Sequence, residues 1–444
     1  MKLTTLPKHP LHGSVVLPGD KSLSHRAALF AALAYGKSTI QNFLFSGVTK
    51  VMLEALQSLG VKYELVGTTL TVEGKGLRSF QTPETPLYCG NSATTLRLLT
   101  GAVVASGIKA TLDGSTGLRR RPMDRIVEPL QQMGALIDST QGCAPINIQS
   151  ATFPLNPVNQ TLPVASAQVK TCLLLAALSS NQPSVIREPG MSRDHTERML
   201  RSMGVNISSD MCFVDGRQYF QTTLIPPNHP LALKPLNMKL PGDFSTAAFL
   251  IVAALITPGS VITLKQVGLN STRTGLLDVL IAMGADILIT GQTTQNSEPV
   301  GDIIVRHSQL HGVQINGDQV VRMIDEFPVF AAAAAFADSP STVSDAGELR
   351  HKESDRISAL CEEMRLLGVD ISERPDGFTI QGKGVVNGGL VRSHGDHRLA
   401  MSLSLIGMAA SQPVVVADAE IISESYPGFS KTLQGLGGNL VVES

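Results

Sequence analysis

The stretch Leu17-Pro18-Gly19-Asp20-Lys21-Ser22 returns in the second half of the chain as Leu240-Pro241-Gly242-Asp243-Phe244-Ser245. Pro-Gly breaks a preceding strand, and Asp-x-Ser then offers a side-chain oxygen to the free N–H groups of a helix start. A junction written twice in one chain marks two hinges. It predicts two domains, one of roughly residues 20–240 and one that joins 1–19 to 241–444. The chain's 444 residues are too many for one ordinary core.

Outward from these hinges the chain repeats itself. Six helix-period segments end in a large aliphatic residue followed by glycine: Leu59-Gly60-Val61, Met133-Gly134-Ala135, Met203-Gly204-Val205, Met283-Gly284-Ala285, Leu367-Gly368-Val369 and Leu436-Gly437-Gly438. The glycines lie 69 to 84 residues apart, close to one sixth of the chain. Leu53, Leu56 and Gly60 share a helical face, and glycine suits the left-handed cap that ends a helix. A short strand follows each, such as Val369-Asp370-Ile371 or Ala285-Asp286-Ile287. Leu70-Thr71-Val72-Glu73-Gly74-Lys75-Gly76 also matches Phe378-Thr379-Ile380-Gln381-Gly382-Lys383-Gly384. Each unit carries a second, more apolar helix, for example Ser24 to Leu33, Ala167 to Leu178, Phe244 to Leu255 and Phe327 to Ala337. Helices apolar all round are buried. Three units fall in each domain, an α/β (α+β) architecture of buried and amphipathic helices under short mixed strands.

Polar residues cluster where the apolar helices begin. Gly19 to Arg26 opens a buried helix, and a helix N-terminus favours anions. Lys21 and Arg26 add fixed charge there, and Ser22 a hydroxyl. The same residues also read as a capped helix with surface cations. Gly90 to Arg97 is a second small and polar helix start. Arg119-Arg120-Arg121-Pro122 reads either as a solvated loop or as a turn in which proline aims one guanidinium inward. Ser166-Ala167-Gln168-Val169-Lys170 precedes an apolar helix, where such groups are costly unless they line a cavity. Met191 to Glu197, with Arg193, reads as a polar cap. Asp325 and Glu326 head an alanine-rich helix. In Leu349 to Arg356, Lys352 and Arg356 are expected as i,i+4 neighbours on a helix, a repulsive pair unless an anion sits between them. His394, Asp396 and His397 match no metal-ligand pattern.

Composition narrows the partners. Lys plus Arg (36) nearly balances Asp plus Glu (37), which leaves no bulk field for nucleic acid or anionic membrane. The five cysteines show no C-x-x-C spacing and fit a reducing cytosol. Met1 to Lys8 lacks the apolar stretch of a signal peptide, so a cytoplasmic chain is expected.

In this order the motifs L-P-G-D-K-S-x-S-H-R, G-N-S-x-T-T-x-R-L, R-R-P-M, S-A-Q-V-K, S-R-D-H-T-E, D-E-x-P, R-x-K-E-S-D-R and G-D-H-R make the chain resemble the 5-enolpyruvylshikimate-3-phosphate synthases, along nearly its whole length. The resemblance implies the two-domain enolpyruvyl transferase-like fold, six βαβαββ units, three per domain, with the active site in the interdomain cleft. It implies transfer of the enolpyruvyl group of phosphoenolpyruvate to the 5-hydroxyl of shikimate 3-phosphate, through addition and elimination. Lys21, Ser22, Arg26, Ser166, Ala167, Gln168, Arg193, Asp325 and Lys352 are the implied shikimate 3-phosphate contacts. Lys21, Ala93, Arg121, Gln168, Arg356 and Arg398 are those for phosphoenolpyruvate. Asp325, Glu353, Lys352 and Lys21 are the implied catalytic groups, with Asp325 at the attacking hydroxyl and Glu353 near the methylene carbon. Two small-molecule substrates, no metal or organic cofactor, and a monomer are expected.

Three departures carry consequences. Many relatives have an acidic pair where this chain has Gly47-Val48. Glu424 replaces a late lysine, so Lys170 or Lys352 is the expected compensating cation. Ala93 stands where glyphosate-sensitive relatives have glycine, which places the chain with the second, glyphosate-tolerant class. The related transferase acting on UDP-N-acetylglucosamine has Lys-Asn in the first motif and a cysteine in the loop before Arg-Pro. Here Ser22 follows Lys21, and Ser115 to Arg121 holds no cysteine. A non-catalytic anion-binding repeat protein is the alternative of a different class.

Overall fold

A computed structural model describes residues 1–229, 233–382, 384 and 386–443; Lys383, one position of the repeated strand, lies outside them. The chain forms two compact units. One comprises Met1–Pro18, Pro241–Thr294 and Pro299–Ser444, and the other Gly19–Leu240 and Gln295–Glu298. Each has its own apolar core.

The six glycine endings share one geometry. Gly60, Gly134, Gly204, Gly284, Gly368 and Gly437 have φ between +80° and +105°. In each case the next residue's N–H returns to a carbonyl five residues back, as Val61 does to Leu56 (3.0 Å) and Val369 to Met364 (3.0 Å). This double-bonded termination satisfies carbonyls that a helix end leaves open, and it needs a residue without Cβ at the left-handed position. It also moves the strand starts. Val369 spends its N–H on the cap, so its strand is Ile371–Arg374 and not Val369 onward. The strand after Ala285 likewise begins at Asp286 and runs to Gln295.

Among the described residues the strands form six four-stranded sheets of one topology. In each, the first strand of a βαβαββ motif pairs in parallel with the second, and the fourth inserts between the second and the third. Leu87–Tyr88, Ala110–Asp113, Cys143–Ile148 and Ile137–Thr140 lie in that order. Three strands are supplied from a distance. Asn237–Lys239 joins Tyr35–Gln41, His12–Val16 joins Val261–Gly268, and Lys2–Leu6 lies between Val414–Ala417 and Asn439–Glu443.

Each unit holds three buried helices: Lys21–Leu33, Ala93–Ser106 and Ala167–Ala177 in one, and Phe244–Ile256, Phe327–Ala334 and His397–Ile406 in the other. The first begins at Lys21, where Asp20, the cap that the junction motif predicts, accepts the Leu23 N–H (2.8 Å). All thirteen residues of Phe244–Ile256 are buried, as a helix apolar on every side requires. The amphipathic helices, such as Gly47–Ser58, bury one face only. No described helix is long and apolar enough to cross a membrane. Cys89, Cys172 and Cys361 are buried and, with Cys143 and Cys212, unbridged.

Candidate active site

In the 19–240 unit, the starts of the three buried helices are joined by side chains. Arg97 Nη1 donates to Gln168 Oε1 (2.7 Å), and Gln168 Nε2 donates to Thr94 Oγ1 (2.8 Å). The amide is thereby held in one orientation. Arg97 Nη2 donates to the Pro122 carbonyl (2.9 Å), which ties the arginine-rich turn to the same network. Within that turn Arg119 pairs with Asp113, Arg120 is exposed, and Arg121 is buried. The turn therefore points one of its three guanidinium groups inward.

Arg26, 2% exposed, donates to Thr196 Oγ1 (2.8 Å), Thr171 Oγ1 (2.9 Å) and the carbonyls of Ser22 (3.2 Å) and Ala167 (3.4 Å). It braces the helix starts that carry Ser22 and Ala167. Arg193 Nη1 lies 3.5 Å from Ser22 Oγ. Lys21, Ser22, Ser166, Ala167, Gln168 and Arg193 are all half-buried. Ala93 is buried at the first position of its helix, behind the Ser92 cap. His25 Nδ1 lies 2.8 Å from the Lys21 carbonyl, and Nε2 lies 3.2 Å from the Val48 carbonyl and 3.5 Å from Ser92 Oγ. Burial, above all, lowers its pKa to about 4, so the ring is neutral and bridges Lys21 to the Ala93 helix start.

In the other unit three cations surround one carboxylate. Asp325 lies 3.9 Å from Lys352, 3.6 Å from Arg356 and 3.6 Å from Arg398. Arg398 Nη1 also donates to the Asp325 carbonyl (3.1 Å). Arg356 donates from Nε to Asp396 (2.7 Å) and from Nη2 to Glu353 (2.6 Å). Its burial alone disfavours the charge, but Asp396, Glu353 and Asp325 outweigh that and hold the guanidinium above its ordinary range. Asp396 caps the Arg398 helix by accepting the Arg398 N–H (2.8 Å). Ser245 donates to Glu326, itself 3.8 Å from Arg398, so the starts of these three buried helices are also linked.

Two expectations are corrected. Lys352 and Arg356 are not neighbours on a helix. The helix begins at Arg356 and Lys352 ends a 3₁₀ turn ahead of it, so what relieves their repulsion is their common neighbour Asp325. Lys170 does not compensate for Glu424. It is 3% exposed and pairs with Glu188 (2.8 Å) and Glu197 (2.7 Å), which leaves Lys352 as the accessible cation of the two. Thr94, Arg97, Glu326 and Asp396 hold other site groups in place but were not among the expected contacts. The available signal was an arginine or acid heading an otherwise apolar helix.

Comparison with known proteins bears on the whole chain. The family profile described as EPSP synthase (3-phosphoshikimate 1-carboxyvinyltransferase) matches residues 6–433. A 3-phosphoshikimate 1-carboxyvinyltransferase of Geobacter sulfurreducens is 42% identical over 433 residues, 98% of each chain. One from a Roseiflexus species is 46% identical over 426 residues, 95% of this chain and 96% of the relative. The solved EPSP synthase of Acinetobacter baumannii superposes with a TM-score of 0.86 at 36% identity and full coverage of both chains. With the family profile, relatives more than 40% identical and a solved structure all spanning nearly the whole chain, the chain belongs to the EPSP synthase family, the 3-phosphoshikimate 1-carboxyvinyltransferases.

Proposed function

We propose that this chain transfers the enolpyruvyl group of phosphoenolpyruvate to the 5-hydroxyl of shikimate 3-phosphate, releasing phosphate. The observation that carries the assignment of roles is the carboxylate of Asp325 within 4 Å of three cations. Arg356 and Arg398 bind the anionic donor, where arginines suit bidentate contact with phosphate or carboxylate, and Lys352 spans the two reacting groups. Lys21, Ser22, Arg26, Ser166, Ala167, Gln168 and Arg193 bind shikimate 3-phosphate, where helix starts add N–H groups and dipole. Lys21, Arg121 and Gln168 also bind phosphoenolpyruvate.

In the addition step the 5-hydroxyl oxygen bonds to C2 of phosphoenolpyruvate while C3 gains a proton. Asp325 takes the hydroxyl proton, and Lys352 or Glu353 supplies the one for C3. In the elimination step the C2–O bond to phosphate breaks, C3 loses a proton, and the enol ether remains. The arginines stabilise the charge that grows on phosphate.

Phosphate release measured with both substrates, with each alone, and with UDP-N-acetylglucosamine as acceptor tests this reading. Release should require shikimate 3-phosphate. Release with the nucleotide sugar, or none with either acceptor, would overturn it.

The chain is further assigned to the glyphosate-tolerant second class. The support is Ala93, whose methyl is buried at a helix start beside Gln168's partner Thr94. Crowding of this kind costs about 1–3 kcal/mol, roughly fivefold to over a hundredfold in affinity. Ala93→Gly should increase glyphosate inhibition by that factor with little change in KM for phosphoenolpyruvate. Unchanged inhibition would refute the assignment.

A further inference from the structure

Beneath the helix start of Ser166 lies a buried ionic group that the reaction itself does not use. Lys170, Glu188 and Glu197 are 3%, 1% and 2% exposed. Lys170 Nζ donates to Glu188 Oε2 (2.8 Å) and to Glu197 Oε1 (2.7 Å). Burial disfavours its charge, but the two carboxylates more than compensate and raise its pKa. A lysine and two carboxylates are expensive to desolvate, and apolar replacements of such groups are often neutral or stabilising. Stability alone is therefore a weak reason for placing them here.

The outward bonds of the group suggest the reason. Glu188 Oε1 accepts the Ser166 N–H (2.8 Å), at the residue that caps the Ala167–Ala177 helix. Glu188 Oε2 accepts the Ser192 hydroxyl (2.8 Å), and Ser192 is itself buried and adjoins Arg193. Glu197 accepts from Thr222 (3.4 Å), which anchors the far side of the group in the sheet. One carboxylate thus sets the position of two separate segments. One carries Ser166, Ala167 and Gln168, and the other carries Arg193.

We infer that Glu188, clamped by Lys170, is a positioning residue for acceptor binding: it fixes the spacing between the Ser166–Gln168 helix start and Arg193, and so tunes affinity for shikimate 3-phosphate more than for phosphoenolpyruvate. Glu188 touches no substrate in this role. It acts through the Ser166 backbone and the Ser192 hydroxyl. The inference rests on the assignment of Ser166, Gln168 and Arg193 to shikimate 3-phosphate.

Steady-state kinetics with each substrate varied separately test it on three variants. Ser192→Ala removes one bond and leaves the ion pairs intact. It should raise KM for shikimate 3-phosphate about threefold to tenfold with a nearly unchanged melting temperature. Glu188→Gln keeps the shape and weakens the clamp, and should raise the same KM on the order of tenfold to a hundredfold. In both, KM for phosphoenolpyruvate should rise clearly less, by no more than about threefold, because Gln168 is the one donor contact on the displaced helix start while Arg356 and Arg398 are untouched. Arg193→Ala is the control for the underlying assignment. If Arg193→Ala raises the shikimate 3-phosphate KM and Ser192→Ala does not, the positioning role is overturned while the site stands. Should Arg193→Ala leave that KM unchanged, the site assignment itself fails. Equal shifts in both KM values for Ser192→Ala would reduce Glu188 to a general structural support. Should Glu188→Gln fail to fold, Ser192→Ala decides alone.

Discussion

At the scale of single residues, the chemistry depends on charges that hold one another in place. Asp325 has its two oxygens within 4 Å of three cations. Asp325→Ala should lower kcat about 10²–10⁴-fold. Its melting temperature should fall only modestly, because Lys352 and Arg398 lose their shared carboxylate while Arg356 keeps Glu353 and Asp396. Near-normal turnover in a stopped phosphate assay would exclude Asp325 as the base. His25 makes a separate prediction, about pH. Its folded pKa, about 4, lies below the ordinary 6.5. The unfolded chain therefore binds more protons between those values, and stability falls as pH drops from 6.5 to 4. The contribution is on the order of 3 kcal/mol. His25→Asn should flatten the pH dependence of the melting temperature across that window, as read by thermal unfolding at several pH values. An unaltered slope would mean that His25 does not carry it.

At the scale of elements, close helix packing sets the geometry of the Gln168 network. A Cβ on Gly101 would stand 2.2 Å from the Cys172 carbonyl, so the Ala93–Ser106 and Ala167–Ala177 helices meet backbone to backbone there. Gly101→Ala must push them apart, which should cost about 1–3 kcal/mol. It should also weaken substrate binding through Thr94, Arg97 and Gln168, which the two helices hold together. Urea unfolding with parallel KM measurements checks both effects. Much at this scale was legible in the sequence. The six glycine caps were, because a left-handed position selects glycine locally. Val369 was misassigned to a strand because the cap uses the N–H of the residue after glycine, and no side chain reports that. Lys170 was ambiguous for a different reason. A lysine on an apolar helix signals a polar partner, but only the fold tells a substrate from the pair Glu188 and Glu197. Arg97 and Asp396 show locally as polar residues heading apolar helices, but their partners Gln168, Pro122 and Arg356 lie far along the chain, so the sequence does not reveal what they hold.

At the scale of the whole molecule, the repeat is regular while the chain path is not. The strands Lys2–Leu6, His12–Val16 and Asn237–Lys239 complete sheets whose other members come from distant parts of the sequence. Such short segments carry no sign of their partners, and this was the part of the topology that the repeat alone did not reveal. Lys2–Leu6 has a paired strand on both sides, and Leu3 is fully buried. Deleting residues 2–6 opens the middle of that sheet. It should abolish cooperative unfolding of the unit containing residues 241–294 while the 19–240 unit remains resistant to limited proteolysis. Retention of two protected fragments would count against that dependence.

Those early strands also impose an order on synthesis. Lys2–Leu6 leaves the ribosome long before Val414–Ala417 and Asn439–Glu443 exist, and at about 5–20 residues per second the wait is on the order of tens of seconds. During that time the intervening 19–240 segment can finish its own core, while two β-prone strands remain tethered outside it with unpaired edges. Such edges invite wrong pairing. Nascent chains of this protein should therefore be most vulnerable to aggregation, and most in need of a chaperone, through translation of the second half.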